Sequence, residues 1–248
     1  MAGHSHWAGI KHRKAAADAK KGKIFSKLAK FVTVAARSGG DPDMNAALRL
    51  AIDTARAQNM TKDAIERAIK KGTGELAGIT YVDLVYEGFA PDNVALVVDI
   101  LTDNRNRTAS ELRTIFEKKG GILGSPGSVS WMFVSKGILH VPKTQIEENE
   151  LMDLVLDAGG EDLAAEDEYF EIHTPPENFN KVRTVLIGKG LTPSHAEIGR
   201  LATTSVRLDS LASAERVLAF ISELEDHDDV KNIAANYDIP AEIFRQLS

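Results

Sequence analysis

The sequence predicts an α+β protein in three parts, in which a small helical domain precedes two small sandwiches of strands and helices. From residue 24 to about residue 72, apolar residues recur at intervals of three and four, which is typical of helices. Beyond residue 79 the apolar period changes to two and then alternates with further helical stretches. A chain of 248 residues with 43% apolar residues is long enough for such a set of domains.

The helical part is predicted from three amphipathic segments that follow a polar start. Residues 1–23 lack an apolar period and are interpreted as an arm. We expect three helices after it, beginning at Ile24, at about Asp43 and at Lys62. Residues 38–42 (SGGDP) are expected to end the first helix, Thr61 to cap the third, and Gly72 to terminate the third.

The remaining elements predict the two sandwiches. Strands are expected over 81–87, 94–101, 129–134, 138–141, 169–173, 203–208 and 230–235. Helices are expected from a capping box at 108–111 to 119, and over 147–158, 176–189 and 210–225. Because the elements before residue 136 lack a helix and a strand that the segment after 208 supplies, the second sandwich is predicted to be inserted into the first. The predicted domains are 1–76, 77–136 with 209–248, and the inserted 137–208, both sandwiches being ferredoxin-like.

Charge is divided unevenly along the chain. Residues 1–72 carry 15 Lys and Arg against six Asp and Glu, a net charge of +9, whereas residues 73–248 carry 15 against 30, a net charge of −15. Clustered positive charge attracts a polyanion within a Debye length even when the whole chain is acidic. The N-terminal part is therefore the first candidate for binding nucleic acid.

The candidate contacts in this part combine cations with rings. They are His6, Trp7, Lys11, His12, Arg13, Lys14, Lys20, Lys21, Lys23, Lys27, Lys30 and Arg37. The Lys and Arg side chains would neutralise phosphates, and Trp7 offers a ring for stacking on a base. Along the first helix, Lys23, Lys27, Lys30 and Arg37 form a basic stripe that lies about a third of a turn from the apolar stripe. The apolar stripe consists of Ile24, Leu28, Phe31, Val32 and Ala35. The alternative is a solvated basic surface without a partner.

A second candidate anion site lies over residues 102–108 (TDNRNRT), between a strand end and a helix start. Free amides at a helix N-terminus and two guanidinium groups favour phosphate binding, and the predicted contacts are Asn104, Arg105, Asn106 and Arg107. In the alternative interpretation the Asp and Asn residues form an ordinary turn, and the arginines pair with the acidic sandwiches.

Three other motifs are interpreted without a ligand. The glycine-rich segment 120–127 lies between a helix and a strand, the reverse of a phosphate-binding loop, and is expected to be a hinge or contact loop. His4, His6 and His12 are expected to bind metal only incidentally. The acidic run 161–168 lacks calcium-loop spacing and is expected to be a solvated loop. We therefore expect neither a metal nor a cofactor.

Several classes of protein are disfavoured. The chain contains no cysteine, which excludes disulfides and thiolate chemistry, and it has neither a Gly-x-Ser-x-Gly nor a His-Glu-x-x-His motif. An enzyme is therefore not expected. No apolar run approaches the roughly 20 residues of a membrane span, and the start does not have the pattern of a signal or transit peptide. We expect a cytoplasmic protein without a membrane partner.

Five segments together resemble the YebC family, whose mitochondrial relatives are translational activators. They are residues 3–7 (GHSHW), 10–14 (IKHRK), 59–60 (NM), 66–72 (ERAIKKG) and 102–108 (TDNRNRT). The resemblance covers the whole chain and implies a three-domain cytoplasmic protein without catalytic residues. It also implies a regulator, since family members are described as DNA-binding transcriptional regulators and are linked to ribosomes and translation.

The functional expectation is a non-enzymatic nucleic-acid-binding regulator of gene expression. Its ligand is either promoter DNA or rRNA in the ribosome, and the lack of an obvious helix for reading the major groove favours RNA. The alternative is a protein-interaction or small-effector-sensing module that acts through the acidic sandwiches. The sequence leaves open whether the protein forms a homo-oligomer.

Overall fold

The structure, a computed structural model, describes residues 17–78 and 80–247, with side chains described from residue 24 onward. Its α-helices are α1 (Ala17–Ala35), α2 (Ala46–Ala57), α3 (Lys62–Thr73), α4 (Arg105–Lys118), α5 (Glu148–Ala158), α6 (Phe179–Gly188), α7 (Leu211–Glu225) and α8 (Ala241–Gln246). Its strands are β1 (Val82–Phe89), β2 (Ala95–Thr102), β3 (Ile122–Leu123), β4 (Phe133–Pro142), β5 (Asp162–Ala165), β6 (Tyr169–Thr174), β7 (His195–Ala202), β8 (Val206–Arg207), β9 (Val230–Ala235) and β10 (Tyr237–Asp238). The predicted α+β class, with helices first and sheets after them, is confirmed.

In the helical domain, α1 already includes residues 17–23, so the predicted start at Ile24 is wrong. It packs against both α2 and α3 around a core that includes Leu28, Val32, Leu48 and Ile52. Helix α2 begins later than the predicted Asp43. Asn45 caps it instead, because the Asn45 side chain accepts a hydrogen bond from the backbone N–H of Leu48 at 3.0 Å.

Helix α3 is capped as predicted but ends later. The hydroxyl of Thr61 accepts a hydrogen bond from the N–H of Ala64 at 3.4 Å. The predicted termination at Gly72 is wrong, since the helix continues to Thr73 and ends at Gly74, which has a positive φ of 85°. Gly72 serves packing instead, because a Cβ at this position would lie 2.2 Å from the carbonyl oxygen of Thr33 in α1.

The first sheet has the order β3-β1-β2-β9, with antiparallel neighbours. Helices α4 and α7 pack on one face, where the rings of Phe116 and Phe220 meet edge to face at 5.0 Å. Helix α4 begins at Arg105 and not at the predicted capping box at Thr108, because Asn104 caps it. Strand β9, which follows the second sheet in the sequence, pairs with β2 and completes this sandwich.

The second sheet has the order β5-β6-β4-β7 and a strand-helix-strand-strand-helix-strand succession, which is the ferredoxin-like connectivity. This region differs from the predicted strands and loop. Only residues 133–134 of the predicted strand 129–134 are extended, and they continue into the predicted strand 138–141 as one strand of this sheet, β4, whereas Ser130–Met132 form a 3-10 helix. Residues 195–202, which were not predicted as a strand, form β7, and only Val206–Arg207 of the predicted strand 203–208 is extended. The predicted acidic loop contains β5.

The domains meet through contacts of two kinds. An apolar cluster that includes Val97 of β2 and Phe133 of β4 joins the two sandwiches, and the ion pair between Arg200 and Asp99 lies beside them. The helical domain meets the inserted sandwich through an ion pair of 2.7 Å between Arg183 and Asp53 and through Leu50 of α2, which packs against the core of that sandwich. Among the described helices, none has the length and apolar character that crossing a membrane requires.

Candidate nucleic-acid interface

The structure describes the side chains of seven of the residues predicted to bind nucleic acid. His6, Trp7, Lys11, His12, Arg13 and Lys14 lie outside the described residues. Lys20, Lys21 and Lys23 belong to α1, but their side chains are outside the description. The candidate interface is therefore described from seven residues, which are Lys27, Lys30, Arg37, Asn104, Arg105, Asn106 and Arg107.

Lys27 and Lys30 of α1 both reach the first sandwich. The Lys27 ammonium donates a hydrogen bond to the backbone carbonyl of Glu225 at 2.5 Å. The Lys30 ammonium donates to the carbonyl of Asp228 at 3.2 Å and to a carboxylate oxygen of Asp229 at 2.8 Å. Two lysines predicted to contact phosphate are thus engaged by the turn between α7 and β9.

Asp229 is the centre of a buried polar cluster. Its second carboxylate oxygen accepts hydrogen bonds from the guanidinium of Arg107 at 2.6 Å and from the hydroxyls of Thr102 and Thr108 at 3.1 and 2.8 Å. The residue is only 2% exposed, which alone would raise the pKa of its carboxyl, but the bonds from Lys30, Arg107 and Thr108 outweigh burial and lower that pKa well below its usual value. Asp229 is therefore a carboxylate that joins α1 to the N-terminal end of α4.

In the predicted anion site at residues 102–108, some side chains are bound within the protein and others are exposed. The Asn104 side chain accepts a hydrogen bond from the N–H of Arg107 at 3.1 Å, so the start of α4 is capped from within. Arg107 also pairs with Asp103 at 3.0 Å, as the alternative interpretation expects. Arg105 and Asn106 are exposed and make no side-chain hydrogen bond or ion pair with the described residues.

Arg37 lies apart from this cluster. Its guanidinium donates a hydrogen bond to the carbonyl of Tyr81 at 2.9 Å, and Tyr81 begins the chain segment that enters β1. The ammonium of Lys30 lies 5.8 Å from the centre of the Tyr81 ring, a cation–π distance. The basic stripe of α1 thus faces the first sandwich along its described length.

A cleft of about 740 Å³ opens between α1, the start of α4 and the turn after α7. Its wall contains the cations Lys30 and Arg107 and five carboxylates, which are those of Asp103, Glu111, Asp226, Asp228 and Asp229. The net formal charge of the titratable wall is therefore −3, with histidine neutral. Such a cleft repels phosphate, so nucleic acid would have to approach the cations from outside it.

One group in this cleft has the composition of a metal site, since Glu111, His227 and Asp229 place ligand atoms within 4.8 Å of one another. The hydrogen bonds do not fit that role. Nδ1 of His227 accepts a hydrogen bond from the backbone N–H of Asp229 at 3.1 Å. The hydrogen of this ring therefore lies on Nε2, which donates a hydrogen bond to the Glu111 carboxylate at 3.0 Å. The Asp229 carboxylate is already bound by Lys30, Arg107 and two threonines.

Comparison with known proteins gives full-length matches. The family model described as the TACO1/YebC protein N-terminal domain matches residues 5–75, and the model of the TACO1/YebC second and third domain matches residues 81–237. The chain belongs to the TACO1/YebC family.

Relatives of this family member carry regulatory names. A protein of Halothermothrix orenii is 49% identical over 100% of this chain and 99% of its own length, and one of Dictyoglomus turgidum is 49% identical over the whole of both chains. Each is named "Probable transcriptional regulatory protein". The crystal structure of a conserved hypothetical protein of Aquifex aeolicus is similar with a TM-score of 0.86 and 43% identity, covering 96% of this chain and 99% of that one. The names indicate a regulatory family and not an enzyme.

In this TACO1/YebC protein, the carboxylate of Glu87 binds backbone amides at the end of the glycine-rich loop. Glu87, 6% exposed, accepts hydrogen bonds from the backbone N–H groups of Gly127, Val129 and Ser130 at 2.7, 2.8 and 2.8 Å. Burial raises the pKa of Glu87, but these bonds lower it by more, so the group is a carboxylate. The amides that would hold a phosphate are therefore occupied.

Sequence reasoning missed the polar groups that organise this family member. The turn after α7 reads Glu-Asp-His-Asp-Asp, and this run of acids was the available signal for it. In the inserted sandwich, buried Glu171 accepts bonds from His140 at 3.0 Å and His173 at 2.9 Å. Burial raises the pKa of Glu171 and the two histidines lower it by more, to about 2. The signal there was the spacing of Glu171 and His173, which are two residues apart and so lie on the same face of β6.

Proposed function

We propose that this protein regulates gene expression by binding nucleic acid, gripping the phosphate backbone with its helical domain and the arm that precedes it. The observation that carries the proposal is the confinement of a net charge of +9 to residues 1–72 of a chain whose remainder has −15. Phosphate contacts of Lys and Arg release condensed counterions and supply sequence-independent affinity. The regulatory names of the full-length relatives support the same role.

The contacts within the described residues support a revised list of anchors. Lys70 and Lys71 are exposed at the end of α3 and form no ion pair with the described residues. These two lysines add to the positive charge that the arm and α1 give the helical domain. Of the pair in the second candidate site, Arg105 is the better anchor, because Arg107 is held by Asp229.

We further propose RNA in the ribosome, in the cytoplasm, as the first ligand to test and promoter DNA as the second. A phosphate-gripping surface suits structured RNA, which proteins recognise largely by shape and backbone. Sequencing of RNA and DNA crosslinked to the protein in cells decides between them. We expect crosslinks in rRNA, whereas clustering at promoters would establish the transcriptional role instead.

The grip itself is tested by replacing three cations of the arm, K11A/R13A/K14A, and measuring affinity for a labelled RNA over a range of salt. Three lost phosphate contacts should weaken binding and flatten the log-log salt slope by about 2 on a single strand or about 3 on a duplex. The matched control is K118A/K181A/K189A, which removes three exposed cations from the two sandwiches. Equal slopes for wild type and the arm variant would remove the arm from the proposal.

A further inference from the structure

The segment of residues 225–229, which we call the acidic turn, holds four carboxylates in five residues and joins α7 to β9. It lies at the C-terminal end of α7, where the helix dipole is negative and the last carbonyls lack helical partners. The Glu225 carbonyl at this end receives the Lys27 ammonium. A helix end of this kind attracts cations for the same electrostatic reason that a phosphate group does.

The contact between α1 and the acidic turn is polar. The described core of the helical domain consists of residues from α1 to α3, and no residue of the first sandwich takes part in it. Lys27 and Lys30 make their described hydrogen bonds to the acidic turn. Polar domain contacts of this type are exchanged more readily than apolar ones.

Lys27 meets a carbonyl oxygen, and not a carboxylate, in this arrangement. Its ammonium has three N–H donors and makes one described hydrogen bond, to a neutral carbonyl. Burial lowers the pKa of Lys27, and the nearby Asp228, Glu225 and Asp226 offset this only in part. A phosphate oxygen would give the same ammonium a partner that carries a negative charge, which the carbonyl does not.

We propose that the acidic turn is an autoinhibitory phosphate mimic, which occupies Lys27 and Lys30 in the free protein and is displaced when these lysines bind the backbone of a nucleic acid. This inference rests on the proposed function, because it describes what Lys27 and Lys30 bind before a nucleic acid reaches them. Once the turn is displaced, the two lysines bind a phosphate backbone. Until then, the turn lowers the affinity of the protein for RNA and DNA backbones alike.

The test neutralises the exposed acids of the turn, D226N/D228N, and leaves Asp229 intact because it is buried in the cluster with Arg107. The matched control, E117Q/E215Q, removes the same two charges from exposed positions of the same sandwich. Affinities for a labelled single-stranded RNA and a labelled DNA duplex of equal length are measured for both. D226N/D228N should bind roughly fivefold more tightly than the control, the effect of losing about 1 kcal/mol of attraction between these two carboxylates and the lysines.

A second pair of measurements separates displacement from a long-range effect of charge. In a K27A/K30A background, D226N/D228N and E117Q/E215Q should have equal affinities, because the lysines for which the turn competes are gone. If K27A/K30A does not fold, K27A alone is used, and the difference between the two double variants should then be smaller than in the wild-type background, since only Lys30 still competes. A persistent difference in the K27A/K30A background, an undiminished one in the K27A background, or equal affinities in the wild-type background, overturns the autoinhibition. Failure of the wild-type protein to bind either probe at low salt would instead overturn the proposed function.

Discussion

At the scale of single residues, buried carboxylates determine how the polar groups of this protein are arranged. Glu87, Glu171 and Asp229 are each less than 7% exposed, and each accepts at least two hydrogen bonds. A buried carboxylate is costly unless donors surround it, so each of these residues fixes the segments that supply its donors. Glu171 fixes the histidines of the inserted sheet, Glu87 the glycine-rich loop, and Asp229 the start of α4.

Glu171 gives a prediction about pH. Its carboxyl has a pKa of about 2 in the folded protein against 4.5 as the ordinary value, so it binds protons more readily when unfolded. Its stabilisation is complete above about pH 4.5 and is lost as the pH falls towards 2. We expect E171Q to lower the free energy of unfolding at neutral pH by at most roughly 3 kcal/mol, and the difference from wild type to shrink across that window.

Chemical denaturation of both proteins at a series of pH values measures this difference. The control is E177Q, an exposed carboxyl of the same sandwich, which should stay within about 0.5 kcal/mol of wild type. A gap between E171Q and wild type that does not change below pH 4.5 would show that Glu171 is not held as a carboxylate.

At the scale of elements, the close approach of α1 and α3 depends on a glycine. A Cβ at Gly72 would lie 2.2 Å from the Thr33 carbonyl oxygen and 2.6 Å from the Cβ of Ala36. Backbone and a buried methyl leave no room for a shift, because α1 is fixed against α2 as well. Helix propensity alone favours alanine over glycine by about 1 kcal/mol, so the two effects have opposite signs at this position.

We expect the steric effect to dominate, so that G72A destabilises the helical domain by about 2 kcal/mol or more. The control is G188A at the end of α6, where a Cβ meets no atom within 4 Å and the φ is not positive. That variant should be neutral or more stable by up to about 1 kcal/mol. The measurement is thermal and denaturant unfolding of both variants, and a G72A protein as stable as G188A would contradict the packing described for α1 and α3.

At the scale of the whole molecule, Asp229 links two domains whose described apolar cores are separate. One carboxylate oxygen holds Lys30 of the helical domain, and the other holds Arg107 and two threonines of the first sandwich. The two sandwiches, by contrast, share the apolar cluster around Val97 and Phe133. The position of the helical domain on the first sandwich therefore depends on charge and hence on salt and pH more than the contact between the sandwiches does.

Removing that charge should destabilise the molecule. In D229N, Lys30 and Arg107 lose their shared carboxylate partner, and we expect the free energy of unfolding to fall by about 2 to 4 kcal/mol. D228N is the control, because the Asp228 side chain is exposed and Lys30 bonds to its backbone carbonyl; it should change stability by less than about 0.5 kcal/mol. Equal stability of the two variants in denaturant unfolding would show that the cluster contributes nothing to cohesion.

The sequence by itself determined the fold class, most of the helices and the separation of charge between the two ends of the chain. Helix periodicity and caps such as Thr61 are local properties, which a sequence shows directly. Strand assignment was weaker: β7 was missed and β4 was divided in two, because short strands are stabilised by their neighbours in the sheet.

Only the tertiary structure decided what the charged side chains do. Lys27 and Lys30 lie on a basic stripe in the sequence, but their partners are 198 and 199 residues away in the acidic turn. Arg107 donates a hydrogen bond to Asp229, which is 122 residues away in the sequence, and Gly127 donates one to Glu87, which is 40 residues away. An ion pair depends on distance in space and on the water excluded around it, and neither can be read from the order of residues along the chain.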